Sequence, residues 1–220
     1  MVLASVRRCS AAAASSDSEY GEKQEMSAKH PIISVTGSSG AGTTSVKRTF
    51  EQIFRREGLT AAFVEGDAFH RYDREEMHAA MQAAETAGNQ NFSHFGLEAN
   101  LLKELEQAFR SYGEIGTAKT RHYIHNQTEA DGYGAEPGTF TQWEEIPYGT
   151  DLLFYEGLHG ATVTDNVNIA KYADLKIGVV PVINLEWIQK IHRDREDRGY
   201  STEDVASTIL RRMPDYVKYI

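Results

Sequence analysis

The sequence predicts an α/β fold in which a mainly parallel sheet is flanked by helices, and three observations support this class. Short apolar segments alternate along the chain with longer segments whose apolar residues recur at helical spacing. A glycine-rich segment, residues 37–44, joins the first strand to the first helix. Asp67 and Glu156 stand at the ends of two later strands. Because ligands bind beyond the carboxyl ends of parallel strands, we expect these features at one edge of the sheet.

The individual elements follow from the apolar pattern and its stop signals. Gly58 would end the first helix, and Thr202 would cap the last one. We predict strands over residues 30–36, 59–65, 151–155 and 175–182. We predict helices over residues 45–57, 74–87, 91–112, 184–198 and 202–213. The stretch 113–149, rich in Gly, Thr and Tyr, is predicted to form short strands or an excursion over the surface.

The composition is that of a globular protein, and it excludes several function classes. The 220 residues can bury a substantial core, and a formal net charge of −9 argues against a non-specific nucleic-acid binder. The single cysteine, Cys9, rules out a disulfide within the chain. No apolar run approaches the roughly 20 residues that a membrane span requires. We therefore expect a cytoplasmic protein without a membrane partner.

The two ends of the chain differ from its middle. Residues 1–26 are predicted to be a disordered extension, because an Ala- and Ser-rich start with Arg7 and Arg8 leads into the acidic stretch 17–25. A targeting leader is the alternative interpretation of this segment. Residues 27–220 are predicted to form one domain. A helical pattern that continues to the last residues predicts that this domain is truncated at its C-terminus.

The segment 37–44 has the features of a phosphate-binding loop. Glycines allow successive backbone N–H groups to point at a phosphate chain, and the following helix adds the partial positive charge of its N-terminus. The lysine position of the generic motif holds Thr43, so either the site is inactive or another cation serves it. Thr44 occupies the position of an Mg²⁺-binding hydroxyl. The candidate nucleotide-binding residues are Gly37, Ser38, Ser39, Gly40, Ala41, Gly42, Thr43 and Thr44.

Two carboxylates at strand ends are candidates for the chemistry. Glu156 is placed to contact Mg²⁺ or its water, and Asp67 to accept a proton from an attacking hydroxyl. A helix cap or a solvated turn is the alternative for each of them. His70, Arg71 and Arg74 follow Asp67 and could hold a phosphate of the acceptor, or could simply form a solvated basic face.

Two further basic clusters lie later in the chain, and the first of them offers replacements for the missing lysine. Lys190, Arg193, Asp194 and Arg198 recur at helical spacing, which would suit a lid that closes over transferring phosphoryl groups, although many surface helices look similar. The third cluster lies in the Gly- and Tyr-rich stretch and could also touch an anionic substrate. It contains Lys119, Arg121, His122 and His125.

Taken together, these segments resemble the bacterial type of the phosphoribulokinase family. The resemblance runs from about residue 29 to the last residue, and its most specific part is the run 182–194, Val-Ile-Asn-Leu-Glu-Trp-Ile-Gln-Lys-Ile-His-Arg-Asp. In that family the loop carries Thr where other kinases carry Lys, so Thr43 fits the resemblance. The carrying segments are 31–44, 64–74, 91–105, 152–160 and 175–199.

The resemblance implies a P-loop kinase with a basic lid helix that uses ATP and Mg²⁺ to phosphorylate D-ribulose 5-phosphate to ribulose 1,5-bisphosphate in Calvin-cycle carbon fixation. It implies that Asp67 is the general base, that Lys190 stabilises the transferring phosphoryl group and that Asp194 is a second catalytic carboxylate. Thr44 and Glu156 would serve Mg²⁺. The implied substrate-binding residues, with His125 added from the third cluster, are His70, Arg74, His125, Arg193 and Arg198.

The resemblance also implies a homo-oligomer that is activated by NADH and inhibited by AMP, without nucleic-acid or membrane partners. Two alternatives stay open. One is a uridine kinase-like or pantothenate kinase-like enzyme, against which the cations near Asp67 favour a phosphorylated acceptor. The other, motivated by Thr43, is a nucleotide-sensing protein without transferase activity.

Overall fold

The computed structural model describes residues 29–196 and 199–219. The predicted extension over residues 1–26 and the candidate Arg198 therefore lie outside the described residues. The strands are β1 (Ile32–Thr36), β2 (Ala61–Glu65), β3 (Lys119–Thr120), β4 (Glu144–Glu145), β5 (Leu152–Gly157) and β6 (Leu175–Gly178). The α-helices are α1 (Thr43–Glu57), α2 (Arg74–Thr86), α3 (Leu102–Ile115), α4 (Gln127–Tyr133), α5 (Ile183–Glu196) and α6 (Thr202–Tyr219).

Four strands form a parallel sheet in the order β2-β5-β1-β6, which confirms the predicted fold class. Strand β5 lies in the interior of the sheet, so both of its faces must be apolar. Leu153 and Tyr155 face the layer that contains α3, whereas Leu152 and Phe154 pack on the side of α1. This two-residue alternation explains why β5 is a continuous hydrophobic run in the sequence.

The two helical layers use their apolar stripes in the expected way. On one face, Leu105, Phe109 and Tyr112 of α3 are almost completely buried against the sheet. On the other face, Phe54 of α1 lies 5.9 Å, ring centre to ring centre, from Phe154. Helix α1 ends at Gly58, as predicted, and Gly58 adopts the left-handed conformation common at helix C-termini. None of the helices in the part of the chain that the structure describes is both long and apolar enough to span a bilayer.

The predicted helix over residues 91–112 is wrong in its first half. The segment 91–101 consists of turns and a short 3₁₀ helix (Leu97–Ala99), and α3 begins only at Leu102. The side-chain amide of Asn100 donates hydrogen bonds to the carbonyls of His94 and Gly96, at 2.8 and 2.7 Å. Because these bonds satisfy carbonyls that a helix would use, they stabilise the turn instead.

Several other predicted ends also differ from the structure. The last predicted strand stops at Gly178, before Pro181, and α5 begins one residue earlier than predicted. Helix α6 does not stop at Met213 but continues to Tyr219 with Pro214 inside it. A proline lacks a backbone N–H, so a sequence pattern favours ending a helix before it.

The stretch 113–149 forms short elements beside the end of β2, as one of the two predicted alternatives stated. Strands β3 and β4 pair in antiparallel fashion, and α4 lies between them in the chain. Tyr123 and Phe140 form a further isolated antiparallel bridge. This region brings the connection between β3 and α4 next to the 3₁₀ turn (Gly66–Phe69) that follows β2.

Candidate active site

The carboxyl ends of three parallel strands bring the phosphate-binding loop, Asp67 and Glu156 to one edge of the sheet. In the strand register Glu156 lies opposite Val35 on one side and Glu65 on the other. The turn after β2 approaches β5 so closely that a Cβ on Gly157 would lie 2.6 Å from the Cα atom of Gly66. The predicted convergence of the three features is therefore confirmed.

The loop 37–44 is held in a conformation that only glycines adopt readily. Gly40 and Gly42 have φ angles of 104° and 96°. The backbone N–H of Ala41 donates to the carbonyl of Ser38 at 3.0 Å, which closes the turn. Helix α1 starts directly at Thr43 and has no acidic residue in its first turn, so the partial positive charge of its N-terminus is not neutralised there. The loop fits a phosphate chain.

Thr43, in the position of the missing lysine, contacts the acid of β5. Its buried hydroxyl donates to Oε1 of Glu156 at 2.6 Å, whereas Thr44 is exposed one residue further on. Burial raises the pKa of Glu156, and the charges of Glu65 and Asp67 act in the same direction. The hydrogen bond from Thr43 and the charge of Lys47 oppose this rise.

Lys47 is a residue of the site that the sequence analysis missed. Its Nζ atom lies 2.7 Å from Oε1 of Glu65, the residue paired with Glu156 across the sheet. Burial lowers the pKa of Lys47, but the attraction of Glu65 and Glu156 outweighs it and raises the pKa overall. The available signal was the spacing, because Lys47 lies one helical turn after Thr43 and shares its face of α1.

Asp67 lies between two histidines that come from different segments. Its Oδ1 atom is 3.2 Å from Nε2 of His70, and its Oδ2 atom is 3.0 Å from Nε2 of His125. Burial acts to raise the pKa of Asp67, but the attraction of the two histidines outweighs it and holds the pKa well below the usual value. The carboxylate is therefore ionised at neutral pH, as a proton acceptor must be.

The Nδ1 atoms of both imidazoles, on the side away from Asp67, also have polar partners. Nδ1 of His70 lies 2.9 Å from Oδ1 of Asn100, and Nδ1 of His125 lies 3.1 Å from Oε2 of Glu129. Burial acts to lower the pKa of His125, but its contacts with Asp67 and Glu129 raise it overall. The sequence analysis did not name Asn100 or Glu129, since they lie 33 and 62 residues after Asp67 and no local motif joins them.

The other basic residues near Asp67 serve different purposes. Arg74 begins α2 and donates from Nη2 to the carbonyl of His125 at 3.0 Å while its side chain stays exposed. Arg71 donates to the carbonyls of Glu98 and Asn100. Arg121 donates to the carbonyls of Ala68 and His70. Each of these two guanidinium groups therefore uses two of its N–H donors on backbone carbonyls, and a contact of Arg71 or Arg121 with a substrate stays a prediction.

Helix α5 packs directly on the phosphate-binding loop, in the position expected of a lid. A Cβ on Gly40 would lie 3.1 Å from Cβ of Lys190, and Nη2 of Arg193 donates to the hydroxyl of Ser39 at 2.8 Å. Asp194 links the two cations: its Oδ2 lies 2.5 Å from Nζ of Lys190, and its Oδ1 accepts from Arg193.

The surroundings of Lys190 lower the pKa of its ammonium group. Burial lowers the pKa of Lys190 to about 8, with further lowering by Arg212 and Arg193 and partial compensation by Asp194. Burial acts to raise the pKa of Asp194, but its two cationic partners lower it overall. Lys190 and Asp194 are both buried, so the pair is fixed in place beside the loop.

The donor set fits Mg²⁺ held jointly with nucleotide phosphates. Among residues 29–196 and 199–219, no group of three or more His, Cys, Asp or Glu side chains forms a ready metal cage. Mg²⁺ is usually bound through one or two carboxylates together with phosphates and water, and Glu156 beside the loop supplies such a carboxylate. The loop geometry, the bare helix N-terminus and Glu156 are therefore compatible with a bound Mg–nucleotide.

Comparison with known proteins gives a consistent assignment. Residues 32–220 match the model of the "Phosphoribulokinase / Uridine kinase family". The chain is 70% identical over 192 residues to the phosphoribulokinase of Nitrobacter vulgaris, which covers 87% of this chain and 66% of that protein. It is 68% identical over 195 residues to the chromosomal phosphoribulokinase of Cupriavidus necator, covering 89% of this chain and 67% of that protein.

Solved structures agree with this result. The phosphoribulokinase from Rhodobacter spheroides superposes with a TM-score of 0.75 at 60% identity, covering 86% of this chain and 65% of that one. A putative fructose transport system kinase from Silicibacter superposes with a TM-score of 0.64 at 11% identity, covering 89% and 88%, which supports the fold alone. The chain spans about two thirds of the length of the phosphoribulokinases it matches. It belongs to the phosphoribulokinase/uridine kinase family, and the resemblance to phosphoribulokinases drawn from its motifs is confirmed.

Proposed function

We propose that this protein is a phosphoribulokinase, which transfers the γ-phosphoryl group of ATP to the 1-hydroxyl of D-ribulose 5-phosphate in Calvin-cycle carbon fixation. The observation that carries the proposal is the ionised Asp67, which shares one edge of the sheet with a phosphate-binding loop. A base and a phosphate site on the same edge are the two parts that phosphoryl transfer to a hydroxyl requires. A relative that carries the phosphoribulokinase name, from Nitrobacter vulgaris, is 70% identical over 192 residues.

Asp67 would remove the proton of the attacking hydroxyl. Its two oxygens accept from Nε2 of His70 and of His125, which fixes the direction of the carboxylate. A carboxylate held in this way can receive a proton without a large reorganisation of its surroundings. The histidines would then orient the sugar and compensate for the charge that changes as the proton moves.

The loop and α5 would bind and stabilise the phosphoryl group. ATP supplies that group, and a bound Mg²⁺ would offset the negative charge of the phosphates as the acceptor approaches. Backbone N–H groups of residues 37–44 would bind the phosphates, with Glu156 and Thr44 on the metal side. Lys190, next to Gly40, would supply the cation that Thr43 cannot, and Asp194 would hold that cation in place.

The acceptor is proposed to be a sugar phosphate because cations lie on two sides of the cleft. Arg74 donates to the carbonyl of His125, and Arg193 donates to Ser39 and Asp194, while part of each side chain stays accessible. Such guanidinium forks suit the oxygens of a phosphate. Arg198, which lies outside the described residues, is proposed for the same role from the family resemblance.

The family resemblance also supports a homo-oligomer in the cytoplasm that is regulated by NADH and AMP. These statements rest on the likeness to the bacterial phosphoribulokinases and form part of the proposal. Size measurement in solution tests the oligomeric state, and turnover assays with NADH and with AMP test the regulation. A monomer whose turnover does not respond to either nucleotide would contradict them.

The first test is ADP release from Mg-ATP by the purified protein with three acceptors: ribulose 5-phosphate, uridine and pantothenate. Release that depends on ribulose 5-phosphate alone would support the proposal. Release with uridine or pantothenate would assign the alternative kinases. Retained ATP binding without release for any acceptor would favour a nucleotide-sensing protein.

A further inference from the structure

Arg121 holds the backbone of the turn that carries Asp67. Its Nε atom donates to the carbonyl of Ala68, and its Nη2 atom donates to the carbonyl of His70, both at 2.8 Å. The two carbonyls follow Asp67 in the chain, on the 3₁₀ helix Gly66–Phe69 and on the residue after it. The planar guanidinium therefore spans the turn with two bonds of fixed mutual direction.

Aromatic rings hold the guanidinium in this position. Its Cζ atom lies 3.6 Å from the ring centre of Phe140 and 4.6 Å from that of Trp143. Trp143 in turn packs edge-on against Phe69, with 5.7 Å between ring centres. Contacts between a cation and aromatic faces favour this arrangement beyond the hydrogen bonds alone. The side chain is thus fixed at both the carbonyls and the rings.

The turn depends on such support from outside. Its internal closing bond, from the N–H of His70 to the carbonyl of Asp67, measures 3.2 Å, and its first residue has no side-chain cap. The next carbonyls are satisfied by other segments: that of Phe69 by the N–H of Leu101, and those on either side of it by Arg121. A single 3₁₀ turn has weak hydrogen-bond geometry, so these external donors determine its orientation.

Arg121 also links the two partners of the base. It lies four residues before His125, whose Nε2 atom contacts Oδ2 of Asp67. The segment 121–125 therefore contacts the backbone of the turn through Arg121 and the carboxylate of Asp67 through His125. We infer that Arg121 is a positioning residue that aims Asp67 by fixing the carbonyls of Ala68 and His70, an inference that rests on the proposed kinase function for its effect on turnover.

The experiment compares Arg121→Met and Arg121→Lys with the unmodified protein. Met keeps much of the side-chain volume but removes both donors, whereas Lys keeps the charge but cannot present two parallel N–H groups. Arg110→Met is the matched control, because Arg110 lies exposed on α3 and contacts its neighbour Gln107. A thermal unfolding curve for each variant checks that it is folded.

Two readouts are measured. In the kinase assay, Arg121→Met is expected to lower kcat by about tenfold to a hundredfold, the cost typical of a misplaced catalytic group, with KM for ATP changed by no more than about twofold. Arg121→Lys is expected to recover part of the loss. Arg110→Met is expected to leave both constants unchanged.

The second readout, the pKa of His125 by ring ¹⁵N NMR, does not depend on activity. Asp67 and Glu129 face the ring and raise its pKa above 6.5, while Arg74 contacts its backbone carbonyl. If Arg121 aims Asp67, the pKa of His125 falls towards 6.5 in Arg121→Met and stays raised in Arg110→Met. An unchanged His125 pKa in a folded Arg121→Met protein would overturn the inference. An unmodified protein inactive towards ribulose 5-phosphate would instead overturn the proposed function.

Discussion

The phosphate side and the base side of the cleft are built in different ways. The phosphate side uses one contiguous segment, residues 37–44, together with one helix, α5, that packs on it. On the base side, the surroundings of Asp67 come from three separate segments. These are the turn that contains Asp67 and His70, the segment with Asn100, and the segment with His125 and Glu129. The comparison teaches that the geometry of the candidate phosphate-binding loop is encoded in adjacent residues, whereas the surroundings of Asp67, the proposed base, depend on long-range contacts.

The pKa shifts of the ionisable groups on the two sides also have different causes. At the base, a carboxylate is kept ionised by two imidazoles. On the phosphate side, a buried lysine has its pKa lowered by burial and by neighbouring arginines. We therefore expect substitutions at the base to affect turnover, and those in the loop to affect nucleotide binding.

The largest effect is expected for Asp67→Asn. The amide cannot accept the proton of the attacking hydroxyl, so kcat should fall by about 10²- to 10⁴-fold while ATP affinity is nearly unchanged. Steady-state kinetics and ATP titration measure the two quantities. Asp73→Asn is the matched control, since Asp73 caps α2 and an asparagine caps a helix equally well. A near-normal rate for Asp67→Asn would refute its role as the base.

Lys190→Met tests the replacement cation. Removing the ammonium next to the loop should lower kcat by about 10²- to 10³-fold, as for other donors to a developing charge. Lys103→Met, at an exposed position of α3, should have no effect. Turnover within about twofold of normal in Lys190→Met would contradict the role.

The pH dependence of turnover provides a second test of Lys190. Its pKa is lowered to about 8 by burial and by Arg212 and Arg193, with Asp194 opposing them. Because the charged form is required, turnover should be full below this pKa and should fall as the pH rises through about 8. Lys190→Arg, which stays charged, should move this limb to higher pH. If Lys190→Arg leaves the fall in turnover at the same pH, a group other than Lys190 causes that fall.

Gly40→Ala tests the close packing of α5 against the loop. The φ angle of 104° strains an alanine, and its Cβ would lie 3.0 Å from the carbonyl oxygen of Glu186. A cost of about 1–3 kcal/mol should weaken ATP binding by roughly tenfold or more. Gly132→Ala is the control, because its Cβ would meet no atom within 4 Å. Unchanged ATP affinity in Gly40→Ala would show that the close approach of α5 does not matter for binding.

The smallest effect is expected for Thr43→Val, which removes the hydroxyl that donates to Glu156. The loss of one hydrogen bond to a charged group should raise the Mg²⁺ concentration needed for half-maximal turnover by about tenfold. Thr49→Val is the control, since the hydroxyl of Thr49 bonds only within α1. An unchanged Mg²⁺ requirement would show that Thr43 does not orient Glu156 for the metal.

The sequence by itself determined the parallel α/β class, the loop and its helix, and the position of Asp67 and Glu156 at strand ends. These features depend on local spacing, because a buried strand, a glycine turn and a helix N-terminus are each written in adjacent residues. The sequence also indicated a basic helix containing Lys190, and the structure packs this helix against the loop at Gly40.

Only the tertiary structure decided what surrounds these groups. It made residues 91–101 a turn through the side chain of Asn100, and it placed Arg121 against backbone carbonyls. It also brought His125 to Asp67 across 58 residues of chain. Such contacts have no period or motif, because they are fixed by how the stretch 113–149 folds back onto the sheet and by the requirement that buried polar groups find partners.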